Sequence, residues 1–175
     1  MALFSSETLN SFDDLYVQQL RDLYSAETQL IEALPTMADA AAHPELKRAF
    51  QDHLAVTRRQ KDRLEQIFRT LDADPEGHTC QAMKGLVKEG NDIIRADGDA
   101  AVRDAGLIAA AQRVEHYEIA GYGTARTFAE RLGHSEAARL LQQTLDEEGG
   151  ADKKLTQIAE AGGVNAQAAM HATTA

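Results

Sequence analysis

The apolar residues of this chain recur every three or four positions over almost its whole length, and this spacing limits the chain to helical folds. Tryptophan is absent and proline occurs three times, so few residues interrupt the pattern. We therefore predict an all-α protein whose helices each bury one apolar face. In the first segment the apolar stripe comprises Phe12, Leu15, Tyr16, Leu20, Leu23, Tyr24, Leu30, Ile31 and Leu34.

Breaks in this pattern divide the chain into five predicted helices. Pro35 is expected to kink the end of the first helix, and His43-Pro44-Glu45 has the proline and the acid that are typical of a helix start. Gly133 is expected to cap the fourth helix. The third helix is predicted over 79–96, the fourth over about 102–132, and the fifth from Ser135. We assign residues 1–161 to one bundle domain and 162–175 to a flexible C-terminal tail.

The sequence repeats internally, because residues 13–70 align without gaps on residues 104–161. Two helical hairpins that each bury one face need one another, so the repeat predicts a four-helix bundle. Residues 79–96 then form an extra helix between the second and third bundle helices, the long crossover of ferritin-like folds. The matched pairs include Asp13 with Asp104, Glu27 with Glu118, His43 with His134, Glu45 with Glu136, Leu54 with Leu145, and Ile67 with Ile158.

Several polar residues lie on the apolar stripes and are therefore predicted to face the core. Buried carboxylates cost several kcal/mol each unless they are paired or bind a metal. No lysine or arginine on these stripes is an evident counter-ion, so a divalent metal or a pair of metals is the partner that we expect. The candidate metal ligands are Glu27, His53, Glu115, Glu118, Glu148 and Asp152.

The charge balance narrows the partners of the protein. Its formal net charge is −10, which argues against binding to nucleic acid or to an anionic membrane surface. The single cysteine, Cys80, excludes an internal disulfide framework. We see neither a signal peptide nor a transmembrane segment in the sequence and expect a cytoplasmic protein.

Five motifs resemble the YciF/YciE family of bacterial ferritin-like, rubrerythrin-like proteins, and the resemblance covers Phe4 to about Ala161. It implies a helical bundle, a homodimer and a role in bacterial stress responses. The motifs are LRDLYSAETQL (20–30), ELKRAFQDHLAVTRRQKDRLEQIF (45–68), CQAMKGLVKEG (80–90), AAQRVEHYEIAGYGT (110–124) and LLQQTLDEEGGADKKL (140–155).

The broader ferritin-like class binds two metals with one Glu from each of two helices and Glu-x-x-His from the other two. Glu27 and Glu118 match the single acids. The second helix departs from the pattern, because Val56 follows His53 by three residues, and the last helix has acids but no histidine. The resemblance therefore implies iron as the cofactor, with manganese or zinc as alternatives, and one or two ions per chain.

Two functions stay open at this point. The first is a metal-binding stress protein that reduces peroxide or oxidises Fe(II). The second is a non-enzymatic dimeric scaffold or partner-binding bundle with a vestigial metal site. The acids missing at Val56 and Thr57, where the repeat has Glu147 and Glu148, favour the second function, whereas the convergence of the remaining acids favours the first.

Overall fold

The computed structural model describes residues 9–161 and 163–171, and within these residues it contains helices and no strand. The all-α prediction is therefore confirmed for this part of the chain. The same part holds no helix that is both long and apolar enough to cross a membrane. The helices are α1 (Phe12–Ala40), α2 (Pro44–Thr70), α3 (Gln81–Arg95), α4 (Ala100–Leu132), α5 (Ser135–Glu160) and α6 (Val164–His171).

Local sequence signals set most of the helix boundaries. The Ser11 hydroxyl accepts a hydrogen bond from the Asp14 amide, and the Asp14 side chain accepts one from the Ser11 amide, which forms a capping box at the start of α1. Pro44 occupies the first turn of α2, as predicted. Gly133 ends α4 with φ of 81°, a left-handed conformation that favours glycine.

Two boundaries differ from the sequence prediction. Helix α1 continues five residues beyond Pro35 to Ala40, since Pro35 lies within the helix rather than at its end. Residues 164–171 form helix α6, where we expected a flexible tail. Val164 is buried against the core and α6 packs on α4 and α5, which accounts for the order of this segment. The rest of the predicted tail, Gly162 and residues 172–175, lies outside the described residues.

The two predicted hairpins form and pack together. Helix α1 packs on α2 and α4 packs on α5, while α1 contacts α4 and α2 contacts α5 across the bundle. At the crossing of α1 and α4, a Cβ on Gly121 would lie 2.8 Å from Leu23 Cδ2, so a larger residue would require the Leu23 side chain to shift. Helix α3 lies against α1 and α4.

One hydrogen-bonded contact joins the start of α4 to the turn of the first hairpin. The Asp104 carboxylate is 2% exposed and accepts hydrogen bonds from the amides of Ala42 (3.0 Å) and His43 (2.7 Å). These amides belong to the turn between α1 and α2, where the backbone has few helical partners. The contact therefore fixes the first hairpin to the second.

The core consists of two apolar clusters at opposite ends of the bundle. One cluster contains Leu30, Leu34, Leu46, Phe50, Leu107, Leu155 and Ile158, among others. The other contains Tyr16, Leu20, Leu64, Phe68, Tyr122 and Leu141, among others. Between them, each of the four long helices carries buried polar residues near its midpoint, and this polar layer holds the candidate site.

Candidate metal centre

Four side chains from three helices converge in the polar layer. One ligand atom from each of His53, Glu115, Glu118 and Glu148 can be chosen so that all four atoms lie within 4.8 Å of one another. The His53 Nε2 atom is 3.5 Å from Glu115 Oε1 and 3.9 Å from Glu148 Oε2. Helix α2 supplies the imidazole, α4 supplies two acids and α5 supplies one. Four of the six predicted ligands are therefore brought together.

These four side chains keep buried polar atoms without a hydrogen-bond partner among the described residues. Buried polar atoms normally have a partner, so this concentration at one point needs an explanation. A metal cation satisfies it, because each of these atoms has a lone pair to donate and the N/O donor set suits iron, manganese or zinc. The atoms are His53 Nε2, Glu115 Oε2, Glu118 Oε1 and Glu148 Oε2.

Burial also shifts the protonation of the cluster. It raises the pKa of Glu115 and of Glu118 well above the usual range, and the nearby charges of Glu148 and Glu27, respectively, raise them further. Burial raises the pKa of Glu148 to about 7 and lowers the pKa of His53 to about 4. The imidazole is therefore neutral at pH 7, the form that binds metals. A cation would displace the protons that the acids otherwise hold.

Glu27 lies beside the cluster rather than within it. Its Oε1 atom accepts a hydrogen bond from the Tyr122 hydroxyl, whereas its Oε2 atom is buried without a partner. After burial, the charge of Glu27 is the largest influence that raises the pKa of Glu118, so the two acids are close neighbours. The sequence analysis did not identify the Tyr122 hydroxyl as a partner of Glu27. The place of Tyr122 one turn after Glu118 was the available signal.

Asp152, the sixth predicted ligand, belongs to a different hydrogen-bonded group. Its Oδ1 atom accepts a hydrogen bond from Gln112 Nε2 at 3.0 Å and lies 3.4 Å from His116 Nε2. The His116 side chain is 69% exposed, in accord with its position beside the apolar stripe. Asp152 thus lies outside the four-residue cluster, and its role as a ligand stays a prediction.

A network between α2 and α5 holds the acids of α5 in place. Gln60 Nε2 donates to Glu148 Oε1 and also to Glu147 Oε2 at 3.2 Å. Arg63 donates two hydrogen bonds of 2.6 and 2.7 Å to the Glu147 carboxylate. Although burial acts to raise the pKa of Glu147, Arg63 holds it below the usual value. The sequence analysis found no evident counter-ion in this region, and Arg63 corrects that view.

Two packed helical hairpins, with helix α3 between them in the chain and with carboxylates and an imidazole at the centre, define an all-α bundle with a polar middle layer. Residues 11–169 match the family described as "Domain of unknown function (DUF892)", and the chain belongs to this family. It is similar to Protein YciF of Escherichia coli strain K12, with 45% identity over 152 residues that cover 86% of this chain and 92% of that protein. The resemblance found in the sequence is thereby confirmed.

Solved structures agree with this assignment. The crystal structure of the E. coli stress protein YciF has a TM-score of 0.83 to this chain at 45% identity, covering 86% of this chain and 95% of that one. YcfI of Rhodopseudomonas palustris has a TM-score of 0.85 at 42% identity, covering 89% and 99%. A Xanthomonas campestris protein shares the fold at 22% identity, with a TM-score of 0.69 and coverage of 86% and 92%.

Proposed function

We propose that this protein binds a transition-metal ion, iron in the first place, through His53, Glu115, Glu118 and Glu148. Two observations support this: one donor atom from each of the four side chains converges within 4.8 Å, and each side chain keeps a buried oxygen or nitrogen without a hydrogen-bond partner. Without a cation, this arrangement leaves desolvated acids that are stable only when protonated. A divalent ion removes this penalty and replaces the missing hydrogen bonds with coordination bonds.

The arrangement also favours one strong position over two equal ones. The four clustered donors suffice for one ion, and Glu27 contributes a further free oxygen on the side of Glu118. We propose that a second ion, where present, binds more weakly with help from Glu27. The half of the site that α2 would complete has Val56 and Thr57 in place of acids, which accounts for the inequality.

Bound iron supplies the redox chemistry with oxygen or peroxide that ferritin-like proteins use. The residues of the chain bind and orient: Gln60 holds Glu148, the Tyr122 hydroxyl holds Glu27, and Arg63 balances the charge of Glu147. The E. coli relative is described as a stress protein, which suits peroxide reduction or Fe(II) oxidation. We place the protein in the cytoplasm as a homodimer, and sedimentation velocity tests the dimer.

Metal analysis after anaerobic Fe(II) loading tests the proposal. We expect about one ion per chain, and a higher melting temperature with metal than without it, because only the native state presents the assembled site. The Glu115→Gln/Glu118→Gln variant should lose both effects. Glu89→Gln, which changes an exposed acid on α3, is the matched control. Fewer than about 0.1 ions per wild-type chain, with an unchanged melting temperature, would contradict the proposal.

The scaffold function is the second candidate, and the hydrogen bonds of the α5 acids favour it. Glu147 and one oxygen of Glu148 already have protein partners, Arg63 and Gln60. Under this alternative, the remaining acids are protonated remnants and metal leaves the melting temperature unchanged. Wild-type protein and the Glu115→Gln/Glu118→Gln variant would then behave alike in the presence of Fe(II) or Zn²⁺.

A further inference from the structure

A cavity of about 290 Å³ lies next to the metal cluster, between α1, α2, α4 and α5. Its walls are mainly apolar and include Leu30, Phe50, Val114 and Leu155. At its polar end it reaches two members of the cluster, His53 and Glu115, whereas the exposed Asp52 and Lys154 line its mouth. The cavity thus connects the protein surface with the candidate metal centre through an apolar space.

The internal repeat shows that this space comes from particular small residues. Ala111, Gly150 and Ala151 line the cavity, and a Cβ on Gly150 would meet no atom within 4 Å. The repeat counterparts of these three residues are large: Leu20, Arg59 and Gln60. Leu20 and Gln60 are fully buried, so they fill the corresponding space in the first hairpin.

Val56 contributes to the same opening. It lines the cavity at the position where the repeat places Glu147 on α5. A carboxylate at position 56 would put a charge into this apolar wall. The absence of an acid at position 56 therefore has two effects. It removes a possible metal ligand from α2, and it leaves an apolar surface next to His53.

We infer that the cavity binds a neutral, mainly aliphatic molecule with one oxygen-bearing end, such as an alcohol or an alkyl hydroperoxide, with that end directed toward His53 and Glu115. A cavity of about 150 Å³ holds benzene, so about 290 Å³ accommodates roughly ten non-hydrogen atoms. The inference rests on the proposed function insofar as the oxygen-bearing end is assigned to the metal centre. For that function, the class of substrate would be a neutral aliphatic molecule with one oxygen-bearing end.

The charges at the mouth select against anions. Lys154 is the one Lys or Arg among the described residues that line the cavity, and it pairs with Glu45 at 2.7 Å. The exposed Asp52 adds negative charge at the same opening, whereas Glu147 is already paired with Arg63. A fatty-acid carboxylate would meet Asp52 without a free cation, whereas a neutral molecule of the same length would not.

The polar end favours a hydroxyl group. His53 Nε2 and Glu115 Oε2 are buried without a partner, and a hydroxyl group, which both donates and accepts, can bond to the neutral imidazole nitrogen and to the Glu115 carboxyl in the metal-free protein. The same oxygen can bind to the ion when the metal is present. A pure hydrocarbon would leave His53 Nε2 and Glu115 Oε2 without a hydrogen bond.

Methyl NMR of the full-length chain with 1-octanol and octanoate as probes tests the inference, with metal-free and Zn²⁺-loaded protein. We expect saturable shifts of the Leu30, Val56 and Leu155 methyl groups with 1-octanol. Octanoate should bind about tenfold more weakly, which corresponds to ~1.4 kcal/mol. Absence of saturable shifts at these methyl groups, or tighter binding of octanoate than of 1-octanol, would overturn the inference.

Two neighbouring glycines provide a matched pair of variants. Gly150→Leu places a side chain into the cavity, whereas Gly149→Leu changes a residue of the same helix that does not line it, and both positions have open space for a Cβ. Gly150→Leu should weaken 1-octanol binding about tenfold and Gly149→Leu less than about twofold. Ala151→Leu is a second filling variant. Equal effects of the filling and control variants would contradict the inference.

The two proposals fail separately. Metal uptake without binding of 1-octanol overturns the cavity inference and leaves the proposed function intact. Binding of 1-octanol to a chain that takes up no metal overturns the proposed function and supports the cavity as a ligand site.

Discussion

The two hairpins of the bundle share a repeated sequence but differ in what they place at its centre. Glu27 on α1 and Glu118 on α4 are repeat counterparts, and both are buried. In contrast, α5 carries Glu147 and Glu148 where α2 carries Val56 and Thr57. The α4–α5 hairpin therefore supplies three members of the four-residue cluster, and the α1–α2 hairpin supplies only His53.

The two hairpins agree at several positions that pack the core and differ at the positions that form the candidate site. The repeat keeps apolar positions such as Leu54 with Leu145 and Ile67 with Ile158, because each hairpin must bury the same kind of face. The polar positions of the site and the small residues that line the cavity do not have to bury such a face, and they differ between the two hairpins. The α4–α5 hairpin thus carries most of the acids of the site. The α1–α2 hairpin instead carries larger buried side chains, Leu20 and Gln60, and Gln60 donates hydrogen bonds to the acids of α5.

Removal of one acid from each hairpin should give the largest contrast. Glu148→Gln is expected to lower metal affinity at least about 100-fold, more than typical losses when an outer partner of a ligand is changed. Glu27→Gln should lower it about tenfold, because Glu27 lies beside the cluster. Competition with a metal-sensitive dye measures both. Equal losses would show that the two hairpins contribute equally and contradict the comparison.

Restoring symmetry should destabilise the metal-free protein. Thr57 is fully buried, so Thr57→Glu places a further acid in the polar layer and is expected to reduce the free energy of unfolding by about 3 kcal/mol. Thr57→Val, which lacks the hydroxyl but keeps the shape, is the control. Urea denaturation with and without Zn²⁺ should show a larger gain in stability with metal for Thr57→Glu than for Thr57→Val. A Thr57→Glu variant as stable as Thr57→Val without metal would contradict this.

The Arg63–Glu147 pair tests the link between the hairpins. Arg63→Met leaves Glu147 half-buried without its cation and is expected to cost about 2 kcal/mol of unfolding free energy. Arg139→Met breaks the exposed pair with Glu136 and should cost far less, because solvent screens that pair. Chemical denaturation measures both. In the Arg63→Met/Glu147→Met variant most of the loss should be regained, and a full remaining loss would assign the effect to packing.

The pH dependence of stability should be opposite with and without metal. The pKa of Glu115 and of Glu118 is raised on folding, so the native state binds more protons and the metal-free protein loses stability as pH rises. His53, whose pKa falls to about 4, opposes this below its unfolded value, so the fall is clearest above about pH 6.5. We expect the free energy of unfolding of the metal-free protein to fall between about pH 6.5 and 8.

Zn²⁺-loaded protein should instead gain stability over the same pH range, because protons and metal compete for the same atoms. Thermal melts in matched buffers measure both curves. The Glu115→Gln/Glu118→Gln variant, which lacks two of the acids whose pKa is raised, should give a flatter curve. Metal-free wild-type protein that gains stability toward pH 8 would show that the acids are already ionised in the native state.

Much of the fold was predictable because helix periodicity specifies which face is buried. The inward acids follow from the same rule, since Glu27 and Glu118 lie on apolar stripes and are indeed buried. Periodicity does not specify which side chain reaches across to another helix, so the Arg63–Glu147 pair and the Tyr122–Glu27 hydrogen bond were missed. Helix α6 was missed because its eight residues offer no clear apolar period, and its place depends on Val164 entering a core built by other helices.

The two hairpins are bound into one folding event by Asp104. Its carboxylate provides hydrogen bonds for the Ala42 and His43 amides, which lie 62 and 61 residues earlier in the chain. The turn between α1 and α2 thus receives these partners only after a long loop has closed, and such closure is slow relative to local helix formation. A first hairpin without the second would lack the Asp104 carboxylate that accepts hydrogen bonds from its turn. The native turn of the first hairpin therefore depends on a residue of the second hairpin for two of its backbone hydrogen bonds.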